Sequence, residues 1–305
     1  MIPQSAKVKE SQPLAASLSL PGRSLTACRM TDKDIGEVLR FLEERPRQSF
    51  VMNGLIRDNG LESGLNRGTF YGCRDNDHKL EGVALLGHGI FLDARSVAAT
   101  KILASLAQQH HRTHVIMGEE KLVQDFWKYY SPGGQLPRLF CRGLLLEMTS
   151  PAEQLQPVLD LRRADNNDLA SVMSVHAELA LTESGVNPLN VDPEGFRLRC
   201  LRRIAQRRVW VWIRNGGVVF KADVISDTPD VCYIEGVYVN PNERGKGYGS
   251  RCVSQMSREL LRRTRAVCVL VNEVQRRAQR FFQKAAFIPC GVQQTIFLHE
   301  KQDGK

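Results

Sequence analysis

Apolar and polar positions divide the second half of the chain into short units of alternating type. Residues 159–164 read as a first strand, and residues 168–181 and 193–208 repeat apolar positions at helical spacing. Two β-type runs, 209–213 and 218–225, flank Asn215-Gly216-Gly217, a strong turn signal, and predict a hairpin. A third such run, 231–239, leads into a turn at Asn240-Pro241. An amphipathic stretch over 250–261, a short apolar run over 266–271 and a helix over 274–286 follow, ending at Phe287.

The joint between the third run and the next helix carries the chemistry. Six residues, Arg244-Gly245-Lys246-Gly247-Tyr248-Gly249, include three glycines. A strand, a glycine-rich turn and a helix start make a nest of backbone N–H groups at the positive end of a helix dipole, which suits a phosphate or pyrophosphate. A dinucleotide fingerprint is excluded, because Ser250 stands where its third glycine should fall, and the nucleoside-triphosphatase phosphate loop is absent.

The remaining pattern is R-x-x-G-x-G behind a V-x-V-x-P strand end. It resembles motif A of the GNAT superfamily of N-acetyltransferases, whose loop binds the pyrophosphate of acetyl-CoA. The later string Asn272…Ala278-Gln279-Arg280-Phe281-Phe282-Gln283-Lys284-Ala285-Ala286-Phe287 is similar to the closing segment of that family. Together the match covers about residues 159–298, the size of one domain.

The resemblance implies an α+β fold, a mixed and mostly antiparallel sheet flanked by helices, with acetyl-CoA as co-substrate and no metal. It implies a pyrophosphate site at Arg244, Gly245, Lys246, Gly247, Tyr248, Gly249 and Ser250. Val237, Tyr238 and Val239 would offer main-chain groups to the pantetheine arm, with Gly236 at a bulge, and Asn272 and Phe282 would complete the cofactor site. Glu235, nine residues before Arg244, stands where many members carry the glutamate that deprotonates the amine. A half-buried carboxylate there has the environment of a base; it also has the environment of a structural partner for Lys221 or an arginine. The pattern departs at Phe282, where the family commonly has a tyrosine that protonates the thiolate. Tyr233, Tyr238 or water would then serve. Gln275 and Ala286 also replace the usual asparagine and glycine.

Lys221 and Asp223 share one face of an otherwise apolar strand, lining an acceptor cleft or forming a solvent-facing ion pair. Glu183, in the polar loop between the first two helices, is a further candidate substrate contact. The acceptor would be a primary amine of a small molecule or of a protein lysine or N-terminus. Two other functions fit the same pattern: a non-catalytic acyl-CoA-binding regulator, favoured by Phe282, and a tRNA-dependent aminoacyl-transferase, permitted by Arg197, Arg199, Arg202, Arg203, Arg207 and Arg208. That basic run lacks the interleaved aromatics of nucleic-acid surfaces, and a solvated helix face explains it as well.

The first half reads as a degenerate copy. Residues 29–35 align with 163–169 and residues 80–85 with 215–220, at nearly one offset. Residues 115–119 align with 269–273, and Phe126-Trp127 with Phe281-Phe282, at a larger one. Residues 92–96 stand near the place of the glycine-rich turn and lack it. The expected organisation is a poorly ordered leader over 1–23, a GNAT-like domain without a cofactor loop over 24–150, and an acetyl-CoA-binding GNAT domain over 151–305, joined near 148–156.

A length of 305 residues allows about two domains. The net charge of +9 is mild and shared by both halves. The eight cysteines form no C-x-x-C, so spacing suggests neither zinc nor a redox pair, and reduced thiols suggest cytoplasm. No apolar run approaches the ~20 residues a bilayer span needs, so no membrane partner is expected.

Overall fold

The computed structural model describes residues 16–20, 23–150 and 156–299. The first half contains β1 (Ala16–Leu20), β2 (Arg23–Arg29), α1 (Ile35–Glu43), α2 (Pro46–Asn59), β3 (Gly68–Arg74), β4 (Leu80–Gly87), β5 (Gly89–Ala94), α3 (Val97–Ala107), β6 (Val115–Glu119), α4 (Glu120–Tyr130) and β7 (Pro137–Met148). The second contains β8 (Arg162–Arg163), α5 (Leu169–Ser184), α6 (Pro188–Val191), α7 (Pro193–Ala205), β9 (Val209–Arg214), β10 (Gly217–Asp227), β11 (Val231–Val239), α8 (Tyr248–Leu260), β12 (Ala266–Asn272), α9 (Arg276–Lys284) and β13 (Ile288–Leu298). The strand β1 falls within the expected leader; residues 1–15 lie outside the described ones.

The fold is α+β, a mixed and mostly antiparallel sheet flanked by helices, in a tandem arrangement. The four internal alignments fall on matching elements. Residues 29–35 and 163–169 each leave a strand through a capping box, Thr31 with Asp34 and Asp165 with Asp168, before a helix starts. The other pairs place β4 opposite β10, β6 opposite β12, and α4 opposite α9.

All thirteen described strands form one sheet, in the order β1-β2-β3-β4-β5-β6-β13-β7-β12-β11-β10-β9-β8. Its centre is a reciprocal exchange. The last strand of the second half, β13, pairs with β6 of the first, and β7 of the first half pairs with β12 of the second. The two exchanged strands also pair with each other. The cores follow the exchange: Ile296 and Leu298 of β13 pack among Ile116, Phe126 and Tyr130, while Leu146 and Met148 of β7 pack among Val267, Val269 and Phe287. Linear halves of the chain are therefore not spatially separate units.

The helix α2 adds a second junction. Phe50 packs on Tyr233 with ring centroids 4.5 Å apart. Ser226 Oγ donates to the Phe50 carbonyl at 2.7 Å. Arg208 clasps Asp58 through two nitrogens, and Arg202 donates to Asn59. The first half thus braces the strand β11 and the helix α7 of the second.

Candidate active site

The parallel ladder between β11 and β12 runs only from the Val231–Ala266 pair to the Ile234–Val269 pair. β11 continues to Val239 and β12 to Asn272, so past Ile234 and Val269 the strands diverge. On its other edge, β11 carries an extra residue between the Lys221–Tyr238 and Asp223–Glu235 pairs. Gly236 lies in that bulge with φ at +59°, which only glycine adopts without strain. Bulge and splay leave Val237 out of both ladders, and leave Tyr238 and Val239, which pair with Lys221 and Phe220 of β10, open on the edge toward β12. The Tyr238 side chain turns toward Val175 and Val218.

From the splay the chain enters residues 240–247. Asn240 opens the turn by accepting from Asn242 N at 3.0 Å. Arg244 Nε donates to the Val239 carbonyl at 3.0 Å, and Glu243 takes ion pairs from Arg214 and Lys246. Gly245 and Gly247 have φ of +81° and +76°; a Cβ there would meet nothing within 4 Å, so the backbone conformation is what demands glycine. Gly249 answers a different need, since its Cβ would stand 2.7 Å from both Phe281 and Val239. It lets α8 lie against α9 and β11.

Gly247 is the N-cap of α8 and offers no side chain to the first helical N–H groups. Those donors remain available to an anion, at the positive end of the helix. Ser250 Oγ donates back to the Gly247 carbonyl at 3.1 Å, and Tyr248 packs edge-on against Trp212. In the first half only Arg95 and Ser96 separate β5 from α3, and Ser96 accepts from Ala99 N, capping its own helix.

Asn272 closes β12 and accepts from Val274 N through its side chain. Gln279, which the sequence did not single out, is buried and donates to the Asn272 and Glu273 carbonyls, fixing α9 to the strand end. Phe282 is in the core, its ring against Phe281 and Phe287.

Glu235 lies on the far side of the bulge. It keeps an open face to solvent while protein crowds it elsewhere. That crowding pushes its carboxyl above the ordinary range; Arg203 opposes the rise and Asp223 adds to it. Glu183, near the end of α5, is in the same situation: burial, then repulsion from Glu235, pushes it up to about 7. Beneath them sits a buried ion cluster. Lys221 Nζ is 2.7 Å and Arg203 Nη1 2.9 Å from Asp223 Oδ2. His176 Nδ1 approaches the same oxygen at 3.8 Å, and burial holds that imidazole down at about 3, hence neutral. The expected Lys221–Asp223 pair is therefore present, and buried rather than facing solvent. Glu235 itself makes no ion pair among the described residues. Arg203 and His176 were not read as site residues; the seven-residue spacing of His176 and Glu183, two helical turns, was the available signal.

Of the six arginines in the basic run, Arg197, Arg199, Arg202, Arg203 and Arg208 bond to groups of this chain. One trio of metal-type ligand atoms converges among the described residues, Glu147, Cys268 and Cys290 at the exchanged strands, where Arg47 already pairs with Glu147.

Residues 182–287 match the model of the acetyltransferase (GNAT) family. That match spans about a third of the chain, and the whole chain has a tandem GNAT-like architecture. No curated protein matches the sequence. Among solved structures it is similar to a Drosophila protein (13% identity, TM-score 0.67, covering 90% of this chain and 99% of that one). It is also similar to a tandem GNAT protein from the clavulanic acid biosynthesis pathway (11% identity, TM-score 0.57, 91% and 100% covered). A third is a GCN5-related N-acetyltransferase from Sphaerobacter thermophilus (11%, 0.54, 89% and 94%). At these identities the likeness is one of fold. Among the described residues no helix is long and apolar enough to cross a membrane.

Proposed function

We propose that the second half transfers the acetyl group of acetyl-CoA to a primary amine by direct attack, with Glu235 as general base. The observation that carries this reading is the coincidence, on one strand, of three features. β11 ends in an uncapped helix N-terminus behind a glycine loop, splays from β12 midway, and presents a carboxylate with a raised pKa at the bulge. The loop, with Arg244, Gly245, Lys246, Gly247, Tyr248, Gly249 and Ser250, would hold the pyrophosphate. Val237, Tyr238 and Val239 would meet the pantetheine arm in the splay, and Asn272 and Phe282 would bound it from the opposite side.

Glu235 takes a proton from the ammonium; the free amine attacks the thioester carbon; the C–N bond forms, the adduct nitrogen gives its second proton to water as the C–S bond breaks, and CoA leaves as thiolate. Phe282 has no proton to give. Water or the hydroxyl of Tyr233 or Tyr238 supplies it, both phenols being held above their ordinary pKa and so protonated at neutral pH. The first half, whose two-residue turn caps its own helix, acts in this reading as a degenerate copy that braces the catalytic strand.

The test is release of CoA from acetyl-CoA across a panel of amines. Turnover with an amine supports the transferase. Tight acetyl-CoA binding without turnover favours the regulator, which Phe282 keeps in view. Salt-dependent tRNA binding would favour the aminoacyl-transferase.

A further inference from the structure

Three neighbouring strands of the exchange each bring one metal-type donor to the same place. Cys268 of β12 is registered opposite Glu147 of β7, and Glu147 opposite Ile288 of β13. β13 then shifts register between Pro289 and Gly291, and Cys290 is the extra residue there. The irregularity re-aims its side chain onto the face that holds Leu145 and Cys268, with Sγ 3.4 Å from the Leu145 carbonyl. The sulfurs of Cys268 and Cys290 and a carboxylate oxygen of Glu147 all lie within 4.8 Å of one another.

The backbone argues against a disulfide between these thiols. β7 runs between β12 and β13, so the two cysteine backbones are two strand spacings apart, roughly 9–10 Å. A disulfide spans at most about 7 Å between Cα atoms. The sulfurs meet over the intervening strand, as ligands gather round one ion. Sulfurs held about 2.3 Å from a tetrahedral centre stand roughly 3.8 Å apart, so side-chain movements of about 1 Å close the set.

The surroundings suit a cation. Cys268 and Glu147 are buried and Cys290 is half-buried. Arg47 of α2 donates through Nε to Glu147 Oε2 at 2.5 Å, which orients the carboxylate as outer partners orient metal ligands. An ionised carboxylate keeps lone pairs for an ion beside such a bond. Two thiolates and Glu147 carry three negative charges against one positive on Arg47, so a divalent cation brings the cluster to neutrality. A cavity of about 280 Å³, lined by Arg45, Arg47, Leu145, Cys290 and Gln293 among others, gives the ion a route to Cys290.

We propose that Cys268, Cys290 and Glu147 form a site for a thiophilic divalent cation, zinc by its ligand chemistry, with water from the cavity in the fourth position. One ion there ties β12 and β13 of the second half to β7 of the first, and so secures the strand exchange. The site does not depend on the acetyltransferase reading: Cys268 lies on the paired part of β12, before the splay.

The experiment titrates Co²⁺ into the full chain, reduced and stripped of metal with a chelator. One equivalent is expected to bind, with a thiolate-to-cobalt charge-transfer band and the visible bands of a tetrahedral ion, and Zn²⁺ is expected to displace it. Zn²⁺ is also expected to raise the thermal midpoint and to protect Cys290 from alkylation. Cys290→Ser is expected to weaken Co²⁺ binding by more than the roughly 10–100-fold that loss of an outer partner costs, and to abolish the zinc-dependent rise. Cys28→Ser, at an exposed cysteine on β2, keeps both. Each rise is read against the metal-free midpoint of the same variant, so a change in basal stability does not mask it. Absence of the thiolate band, or a band and a rise that survive Cys290→Ser, overturns the site. A band without a rise keeps the ion and overturns its role in securing the exchange.

Discussion

Asp223 Oδ2 lies 2.7 Å from the Lys221 ammonium and 2.9 Å from Arg203 Nη1, with Lys221 and Asp223 both sealed from solvent. Burial alone would raise the Asp223 carboxyl; the Lys221 and Arg203 cations outweigh it and hold it below its ordinary 3.8. Its folded value is below the unfolded one, so its contribution to stability is full above the ordinary carboxylate range. It is lost as pH falls through that range. Asp223→Asn leaves a buried lysine without its counter-charge and is expected to cost roughly 3–5 kcal/mol. Chemical denaturation at neutral pH measures it, and a loss below about 1 kcal/mol would mean that Lys221 finds another partner.

At Gly247 two effects can be separated. The positive φ penalises any side chain, while open space around the position removes steric objections. Gly247→Ala therefore carries only backbone strain, about 1 kcal/mol. Gly247→Asp adds a carboxylate to the anion nest and is expected to abolish acetyl-CoA binding in calorimetry, with a thermal midpoint near that of the alanine variant. Cofactor affinity retained in Gly247→Asp would move the pyrophosphate elsewhere.

Ala286 is in the left-handed region, φ at +67°, a conformation that favours glycine. It ends α9 in a Schellman arrangement, the Phe287 N–H donating to the Phe282 carbonyl at 3.0 Å. Ala286→Gly removes the Cβ penalty and is expected to stabilise the protein by about 1 kcal/mol, visible as a raised denaturation midpoint. An unchanged or lowered midpoint would show that unfolded-state entropy of the new glycine offsets the relief.

Much of the second half was legible because each element announces itself locally. The hairpin around Asn215-Gly216-Gly217 formed as β9 and β10, and the stretches over 250–261 and 266–271 formed as α8 and β12, with ends shifted by a residue or two. The bulge at Gly236 was also anticipated, since a glycine in a β run seldom has another use. The strand exchange was not legible. β7 and β13 have the same apolar pattern whichever sheet they join, and only three-dimensional pairing decides. The ion cluster was read in fragments for a similar reason: Arg203 in a run of arginines resembles its neighbours, and its reach to Asp223 depends on how α7 docks. Glu235 and Glu183 were both read as candidates, but nothing in their spacing of 52 positions shows that they come near enough to repel each other.

Glu235 must be unprotonated to act. Its raised pKa places the ascending limb of the pH–rate profile above the ordinary 4.5 of a glutamate. Glu235→Gln is expected to slow turnover roughly 10²-fold or more at neutral pH and to erase that limb. Acetyl-CoA affinity is expected to change little, because the cofactor loop starts beyond Val239. A profile identical to wild type would remove Glu235 as the base.

The exchange makes the halves interdependent. Cut within 151–155, the second half loses β7, which leaves β12 with an open edge and strips Leu146 and Met148 from its core. Its own β13 loses both neighbours, β6 and β7. An exposed apolar edge of that kind pairs with other chains. The second half expressed alone is expected to aggregate or to bind no acetyl-CoA, and co-expression with the first half is expected to restore a soluble complex that binds it. Size-exclusion chromatography and calorimetry on the separate and combined halves decide the point. A monomeric second half with full cofactor affinity would show that β13 folds back to occupy the place of β7, in the manner of a single-unit sheet.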